Sequence, residues 1–174
     1  MSKHTTQECA YFQFLPRANA YDSQRFTRRL NTLDQVIDVK LEEGMTDVPI
    51  WWWLRELVEK LGEDGMSSDE SDTNQRTGLP TYRVKHLRWQ WKMDNKLNMV
   101  DKLRVVDKDL YSQRGAKPIP RFRDDRNSDS CWLAPKGRPR RLYDSQWLQE
   151  QTPRERRGLL IPDENFPWLQ LLKT

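Results

Sequence analysis

The clearest pattern of apolar positions along the chain begins at Ser23. Apolar side chains recur at steps of three or four residues at Phe26, Leu30, Leu33, Ile37 and Leu41. Charged residues occupy most of the positions between them, so the apolar side chains share one face of a helix. The pattern ends before Gly44, and a glycine at this position is typical of the end of a helix. The spacing therefore predicts an amphipathic helix from about residue 23.

A second helical pattern follows after a short connection, "EGMTD". Asp47 is a candidate N-cap, and Pro49 suits the first turn of a helix. A wide apolar face then runs to Gly62 through Ile50, Trp53, Leu54, Leu57, Val58 and Leu61. Two amphipathic helices with a short connection predict an antiparallel helical hairpin.

Trp51 and Trp52 lie beside the apolar face of the second helix, so a hairpin alone leaves at least one of them in water. Large exposed aromatic residues mark partner-binding surfaces, and Trp51 and Trp52 are the candidate partner-binding residues. The alternative is a cover from the same chain. The C-terminal "ENFPWLQLL" is apolar enough for that role, with Phe166 and Trp168 as the predicted contacts.

The stretch "GEDGMSSDESDTNQRTG" has no apolar period and predicts a flexible acidic loop over residues 63–78. Ser67 has an acid three residues later, at Glu70, which makes it a phosphorylation candidate for acid-directed kinases. The alternative interpretation is a solvated linker.

After this loop, "TYRVKHLRWQW" predicts a short extended segment, and the pattern from Asp94 to Leu110 predicts a third helix. Four prolines exclude regular helix from most of the basic stretch after Gly115. Short helices are predicted from Asp144 onwards, the second with capping-box spacing between Thr152 and Glu155.

These patterns predict a mainly α protein with a small helical core, formed by the hairpin and the third helix, one short extended segment, and long irregular or disordered basic loops. The predicted organisation is an irregular lead-in (1–22), a helical core (23–111), a basic Pro-rich linker (112–143) and short C-terminal helices that pack on the core (144–174).

Charge is distributed unevenly along the chain, whose formal net charge is +4. Residues 34–72 hold 12 acids and 3 bases, a net charge of −9. Residues 83–108 hold 8 bases and 3 acids, and residues 113–157 hold 12 bases and 6 acids. This asymmetry is compatible with a nucleic-acid partner, and equally with two halves of one chain that neutralise each other.

Candidate chemistry is sparse. Cys9, Cys131, His4 and His86 have no spacing typical of a zinc site, and no glycine-rich loop suits a phosphate. We therefore expect no enzyme activity, metal or cofactor. The longest apolar run, "IWWWL", is far short of the roughly 20 residues of a membrane span. Two distant cysteines and no secretory segment indicate a reducing compartment, the nucleus or cytoplasm.

The stretch "PKGRPRRL", residues 135–142, resembles the AT-hook family, in which a short extended peptide enters the minor groove of A·T-rich DNA. The resemblance implies DNA contacts by a set of six neighbouring residues. They are Lys136, Gly137, Arg138, Pro139, Arg140 and Arg141. Glycine allows close approach, proline favours an extended course, and arginine favours the negative potential of a narrow groove. The alternative is a basic turn before the helix at Asp144.

A longer resemblance rests on "LVEKLGEDGMSSDES", "LPTYRVKHLRW" and "LYDSQWL". Together these stretches resemble uncharacterised proteins that occur in many divergent copies in mushroom-forming fungi, some of them near mobile elements. The resemblance implies no activity and no catalytic residues, and it favours a nuclear, DNA-associated role.

Two functional hypotheses follow. The first is a non-enzymatic nucleic-acid-associated or adaptor protein that contacts A·T-rich DNA or another nucleic acid through segments 83–108 and 113–157. The second is a protein-interaction module that uses the Trp-rich hairpin and binds no nucleic acid. Phosphate contacts weaken steeply with salt and aromatic contacts do not, so salt dependence separates the two.

Overall fold

A computed structural model of the chain describes residues 20–66, 69–91, 94–106, 121–123, 133–163 and 166. The fold is mainly helical, as the sequence predicts. Within the described residues, the helices are α1 (Ala20–Glu42), α2 (Val48–Leu61), α3 (Asp94–Val106), α4 (Ser145–Glu150) and α5 (Pro153–Gly158). A small sheet is formed by β1 (Asp69–Thr73), β2 (Pro80–Val84) and β3 (Arg121–Arg123).

The helical hairpin forms as predicted, and its facing apolar residues make most of the first core. The most deeply buried members of the two predicted apolar faces are Leu33, Ile37, Leu54, Leu57, Val58 and Leu61. Val36, which the predicted face does not include, is buried with them, whereas Leu41 at the end of that face is 55% exposed. Burial of these side chains is the main driving force for the pairing of the two helices. The hairpin is the part of the fold that periodicity alone predicts.

The turn of the hairpin differs from the prediction at Asp47. Its side chain makes no cap hydrogen bond to α2. It instead accepts hydrogen bonds from Lys40 Nζ, at 3.0 Å, and from Trp51 Nε1, at 2.9 Å. The hydrogen bond from Lys40, followed by that from Trp51, holds the pKa of Asp47 below its ordinary value. The Lys40 ammonium also lies 5.4 Å from the centroid of the Trp51 ring.

Helix α3 packs on α1, as the helical-core prediction requires, and its Leu97 and Val100 are buried in the first core. A buried ion pair fixes the contact. Arg29 donates to both carboxylate oxygens of Asp101, at 3.0 Å from Nε and 2.7 Å from Nη2. The predicted end of this helix, residues 107–110, lies outside the described residues.

The segment predicted as a flexible acidic loop, 63–78, contains regular structure. A 3₁₀ helix spans Glu63–Gly65, and β1 pairs antiparallel with β2 across a turn that begins at Asn74. In this register Glu70 is opposite Arg83. Strand β1 is formed by polar residues alone, so the sequence around it contains no strand pattern. Ser67 lies outside the described residues.

Part of the segment predicted as a Pro-rich linker, 112–143, is packed rather than irregular. Residues 133–143 contribute to a second apolar core, which gathers distant parts of the chain: Leu87, Trp89, Ala134, Tyr143, Leu148 and Leu159. Residues 133–143, which include Pro135 and Pro139, contain no α-helix. The Tyr143 hydroxyl donates to the carbonyl of Pro135, at 2.6 Å, and this bond holds the non-helical backbone in place.

The two cores are joined by residues between β2 and α3. Gln90 is buried, and its Nε2 donates to the carbonyl of Gly65 at the end of the hairpin, at 3.0 Å. Trp89 accepts a backbone hydrogen bond from Asp144, at 2.7 Å. Helix α4 packs on the second core through Leu148, and this core is attached to the first through the segment between β2 and α3.

The predicted cover for the tryptophans is partly correct. Phe166 is buried in the first core and its ring lies 5.8 Å from the Trp53 ring, so this residue of the predicted cover does pack on the hairpin. It does not cover Trp52, which remains 51% exposed, and Trp51 is buried beside Lys40. Trp168 lies outside the described residues.

Candidate nucleic-acid interface

The C-terminal unit, residues 133–163, presents two short basic segments on a folded support. Helix α5 has no buried residue, so packing contributes little to it. Its start is fixed by a capping box: the Thr152 backbone N–H donates to the Glu155 carboxylate, at 2.7 Å, and the Glu155 N–H donates to the Thr152 hydroxyl, at 3.3 Å. The hydrogen bonds from Thr152 also lower the pKa of Glu155.

The other basic segment is "PKGRPRRL", which is folded as a turn and not as a free extended peptide. Gly137 has a φ of +71°, and its N–H donates to the carbonyl of Leu159, at 2.7 Å. Pro139 is buried, and a 3₁₀ helix follows over Arg140–Leu142, with Leu142 fully buried. The backbone bond to Leu159 places this turn beside the end of α5.

Arg138, the central arginine of the AT-hook-like stretch, points towards the hairpin. Its side chain is 24% exposed, and its Nη2 lies 4.0 Å from a carboxylate oxygen of Asp64. Gly62 provides the space, because a Cβ at that position would lie 2.5 Å from Nη2 of Arg138. Arg138 therefore joins the C-terminal unit to the hairpin, while Lys136, Arg140 and Arg141 remain exposed.

We expect Arg138→Ala to lower stability more than it lowers DNA affinity. The loss of a partly screened ion pair and of side-chain packing costs about 1 kcal/mol, which corresponds to a fall of roughly 2–4 °C in melting temperature for a chain of this size. Arg140→Ala is the matched control, with an unchanged melting temperature. Selective loss of binding to A·T-rich duplex by Arg138→Ala, at unchanged stability, would contradict this assignment.

Six exposed cations on the two segments form what we call the basic surface: Lys136, Arg140, Arg141, Arg154, Arg156 and Arg157. Within the described residues, none of the six has an ion-pair partner. Glu155 lies among them and offsets one of the six charges, and its carboxylate is held by the cap at Thr152. The surface therefore has a concentrated positive charge that the described fold does not neutralise.

Several cations elsewhere in the described chain are paired with acids. Arg29, Lys40 and Arg55 each pair with a carboxylate of the helical core, and Arg88 pairs with Glu150. In the described part of segment 83–108, which the sequence also predicts as a nucleic-acid contact, Arg83, Lys85 and Arg88 each interact with other groups of the fold. Residues 136–157 are thus the strongest candidate for a nucleic-acid contact among the predicted basic segments.

The remaining predicted site residues are dispersed. Trp51 is buried in the first core, so only Trp52 of the predicted partner-binding pair presents its ring to solvent. Cys9, Cys131 and His4 lie outside the described residues. Where the structure describes the chain, no group of three or more metal-ligating side chains is present. Among those same residues, no helix combines the length and apolar character needed to cross a membrane.

Sequence reasoning did not single out Arg154, Arg156 and Arg157, although they lie within the predicted basic segment. The signal was present: the capping-box pattern at Thr152 predicts a helix start, and three arginines follow it within one turn and a half. What the sequence could not indicate is the bond from Gly137 to Leu159, which brings these arginines to the turn at Lys136.

Comparisons with family models, with curated proteins and with solved structures found no match to this chain.

Proposed function

We propose that this protein is a non-enzymatic nucleic-acid-binding protein, and that the basic surface contacts backbone phosphates. The observation that carries the proposal is the absence of ion-pair partners for its six cations within the described residues. Clustered Lys and Arg side chains raise the local concentration of polyanions, and their exchange of counterions for phosphates drives binding.

The main competing explanation for the charge asymmetry is neutralisation within the chain. The acidic hairpin and the basic C-terminal unit meet at Arg138 and Asp64, where the ion pair is long, at 4.0 Å. The carboxylate of Asp34 pairs with Arg55 of the hairpin itself. Since these acids do not reach the basic surface, its charge remains available to a partner.

The proposed contact is to phosphates and not to base edges. The left-handed conformation of Gly137, the burial of Pro139 and the position of Arg138 against the hairpin favour contacts to phosphates over entry into a minor groove. Phosphate contacts position a protein on a duplex and carry no sequence information. We therefore expect similar affinity for A·T-rich and G·C-rich duplexes, unlike the selectivity that the AT-hook resemblance implies.

The test is fluorescence anisotropy with two labelled 20-base-pair duplexes, one A·T-rich and one G·C-rich. The full chain is expected to bind both with affinities of the same order, and to bind each more weakly at 200 mM than at 50 mM salt. No binding at 50 mM salt would overturn the proposal. Strong preference for the A·T-rich duplex would restore the AT-hook interpretation.

A second candidate function rests on Trp52. Its ring is 51% exposed on α2, with Glu56 one turn further along the helix, and surface tryptophans are enriched at the centres of protein interfaces. A pull-down from extract, with and without nuclease, separates the two functions. Partners lost with Trp52→Ala but retained after nuclease would support the protein-interaction function, and partners lost after nuclease would support nucleic-acid binding.

A further inference from the structure

Leu160 combines two unfavourable features at the edge of the basic surface. It has a φ of +51°, and it is the only non-glycine residue with positive φ among those described. Its side chain is also 67% exposed, the largest exposed fraction of the large apolar residues described. A single exposed leucine is ordinary on a protein surface, but a leucine in the left-handed region is not.

The backbone position is one that glycine would fill without strain. The N–H of Leu160 donates to the carbonyl of Arg157, at 3.2 Å, so Leu160 follows the last turn of α5. Left-handed residues that end helices are usually glycine, because glycine has no Cβ to clash with the backbone. Since neither the turn nor a core requires a leucine here, its side chain has no role in folding that the structure provides.

Neighbouring residues hold Leu160 in a fixed orientation. Leu159 is buried in the second core, and Ile161 packs against the same core. The carbonyl of Leu159 also accepts the hydrogen bond from Gly137. Leu160 therefore projects from a rigid support, unlike a side chain on a free loop.

Several cations lie close to Leu160 along the chain and across one backbone hydrogen bond. Arg156 and Arg157 precede it in the last turn of α5, and Lys136 is adjacent in sequence to Gly137, which is bonded to Leu159. An exposed leucine near several cations suits a polyanionic ligand that also has apolar groups into which the leucine can insert. A nucleic-acid duplex meets this description, because proteins that bend DNA insert leucine and similar side chains between base steps while cations contact the phosphates.

We infer that Leu160 is a wedge that inserts between neighbouring base steps of a bound duplex and bends it. The inference rests on the proposed function, since the cations must first bring the duplex to the basic surface. Wedge insertion partly unstacks the base step and kinks the duplex by roughly 20–90°. The basic surface then provides affinity, and Leu160 provides the change of shape.

The experiment uses a 20-base-pair duplex with a donor and an acceptor dye at its ends, together with the full-length chain. Leu160→Gly is the informative variant, because positive φ favours glycine and the variant retains the fold. Leu160→Met retains an apolar wedge. Leu133→Ala is the matched control, since Leu133 is another exposed leucine of the same unit, at 48%.

The wild-type chain, Leu133→Ala and Leu160→Met are expected to raise energy transfer on binding. Leu160→Gly is expected to bind, as anisotropy shows, and to leave energy transfer at the value of the free duplex. Two outcomes would overturn the wedge and leave the proposed function in place. In the first, Leu160→Gly bends the duplex as much as the wild-type chain does. In the second, the wild-type chain binds the duplex without bending it.

Two further outcomes count against the inference. Absence of duplex binding at 50 mM salt would overturn the proposed function and the wedge together. Vesicles of phosphatidylcholine with 30% phosphatidylserine are the alternative probe, because a leucine among cations also suits an anionic lipid surface. Vesicle binding that Leu160→Gly abolishes, in a chain that does not bend DNA, would assign Leu160 to lipid and overturn the wedge.

Discussion

Replacement of Asp101 by alanine is expected to lower the free energy of unfolding by about 3–5 kcal/mol, because it leaves a buried guanidinium without its partner. Arg29 is 2% exposed, and its two charge-assisted hydrogen bonds go to Asp101. Its remaining described contact is a weak one, from Nη1 to the sulfur of Met66, at 3.1 Å. The contact between α1 and α3 should therefore depend on this carboxylate.

Asp34→Ala is the matched control for that experiment. Asp34 also pairs with an arginine of the hairpin, Arg55, but its side chain is 46% exposed. Exposed ion pairs contribute about 0–1 kcal/mol to stability, since solvent and salt screen them. Urea denaturation of both variants measures the difference. Equal losses of stability would show that the Arg29–Asp101 pair is not desolvated and would contradict its assigned role.

The largest effect on binding is expected when three arginines of the basic surface are neutralised together, as Arg140→Gln, Arg156→Gln and Arg157→Gln. Each phosphate contact releases about 0.9 of a counterion, so at 0.1 M salt three contacts contribute about 10²- to 10³-fold in affinity. All three side chains are exposed and have no ion-pair partner within the described residues, so the fold should not change.

The control must lose the same net charge without touching the basic surface. Arg28→Gln, Arg76→Gln and Lys102→Gln meet this requirement, because all three residues are exposed and lie on other elements of the fold. Anisotropy with one duplex at 0.1 M salt compares the two triple variants. Similar loss of affinity in both would mean that net charge, and not the basic surface, determines binding.

The helical part of the fold could be predicted because its evidence is local. The apolar residues of α1 and α2 recur every three or four positions, and except for Leu41 they are buried or partly buried in the first core. The third helix follows from the same argument. Local patterns also contain the capping box at Thr152, which the structure confirms with both of its hydrogen bonds.

The rest could not be predicted because it depends on contacts between distant parts of the chain. Strand β1 has no apolar residue, and only its pairing with β2 identifies it as a strand. The second core brings Leu87 together with Leu159, and no periodicity links the two. Trp51 is buried because Lys40 and Asp47 meet at the turn, a contact that the apolar stripe of α2 does not indicate.

The candidate interface illustrates the same limit. The sequence indicates where cations are concentrated, but not which of them the fold uses. Arg138 and Arg140 are two positions apart, yet one contacts the hairpin and the other faces solvent. Likewise, only the bond between Gly137 and Leu159 shows that the two basic segments are neighbours. The unpaired cations can be identified only after the structure shows which cation each acid contacts.

The salt dependence of duplex binding tests the central claim most directly, because its slope reports how many phosphates the protein neutralises. For six contacts, a plot of log affinity against log salt between 50 and 200 mM should have a slope of about −5, and the basic-surface triple variant should reduce it to about −3. The charge-matched control triple should keep the wild-type slope. A basic-surface triple variant that also keeps the wild-type slope would show that these cations do not contact phosphates.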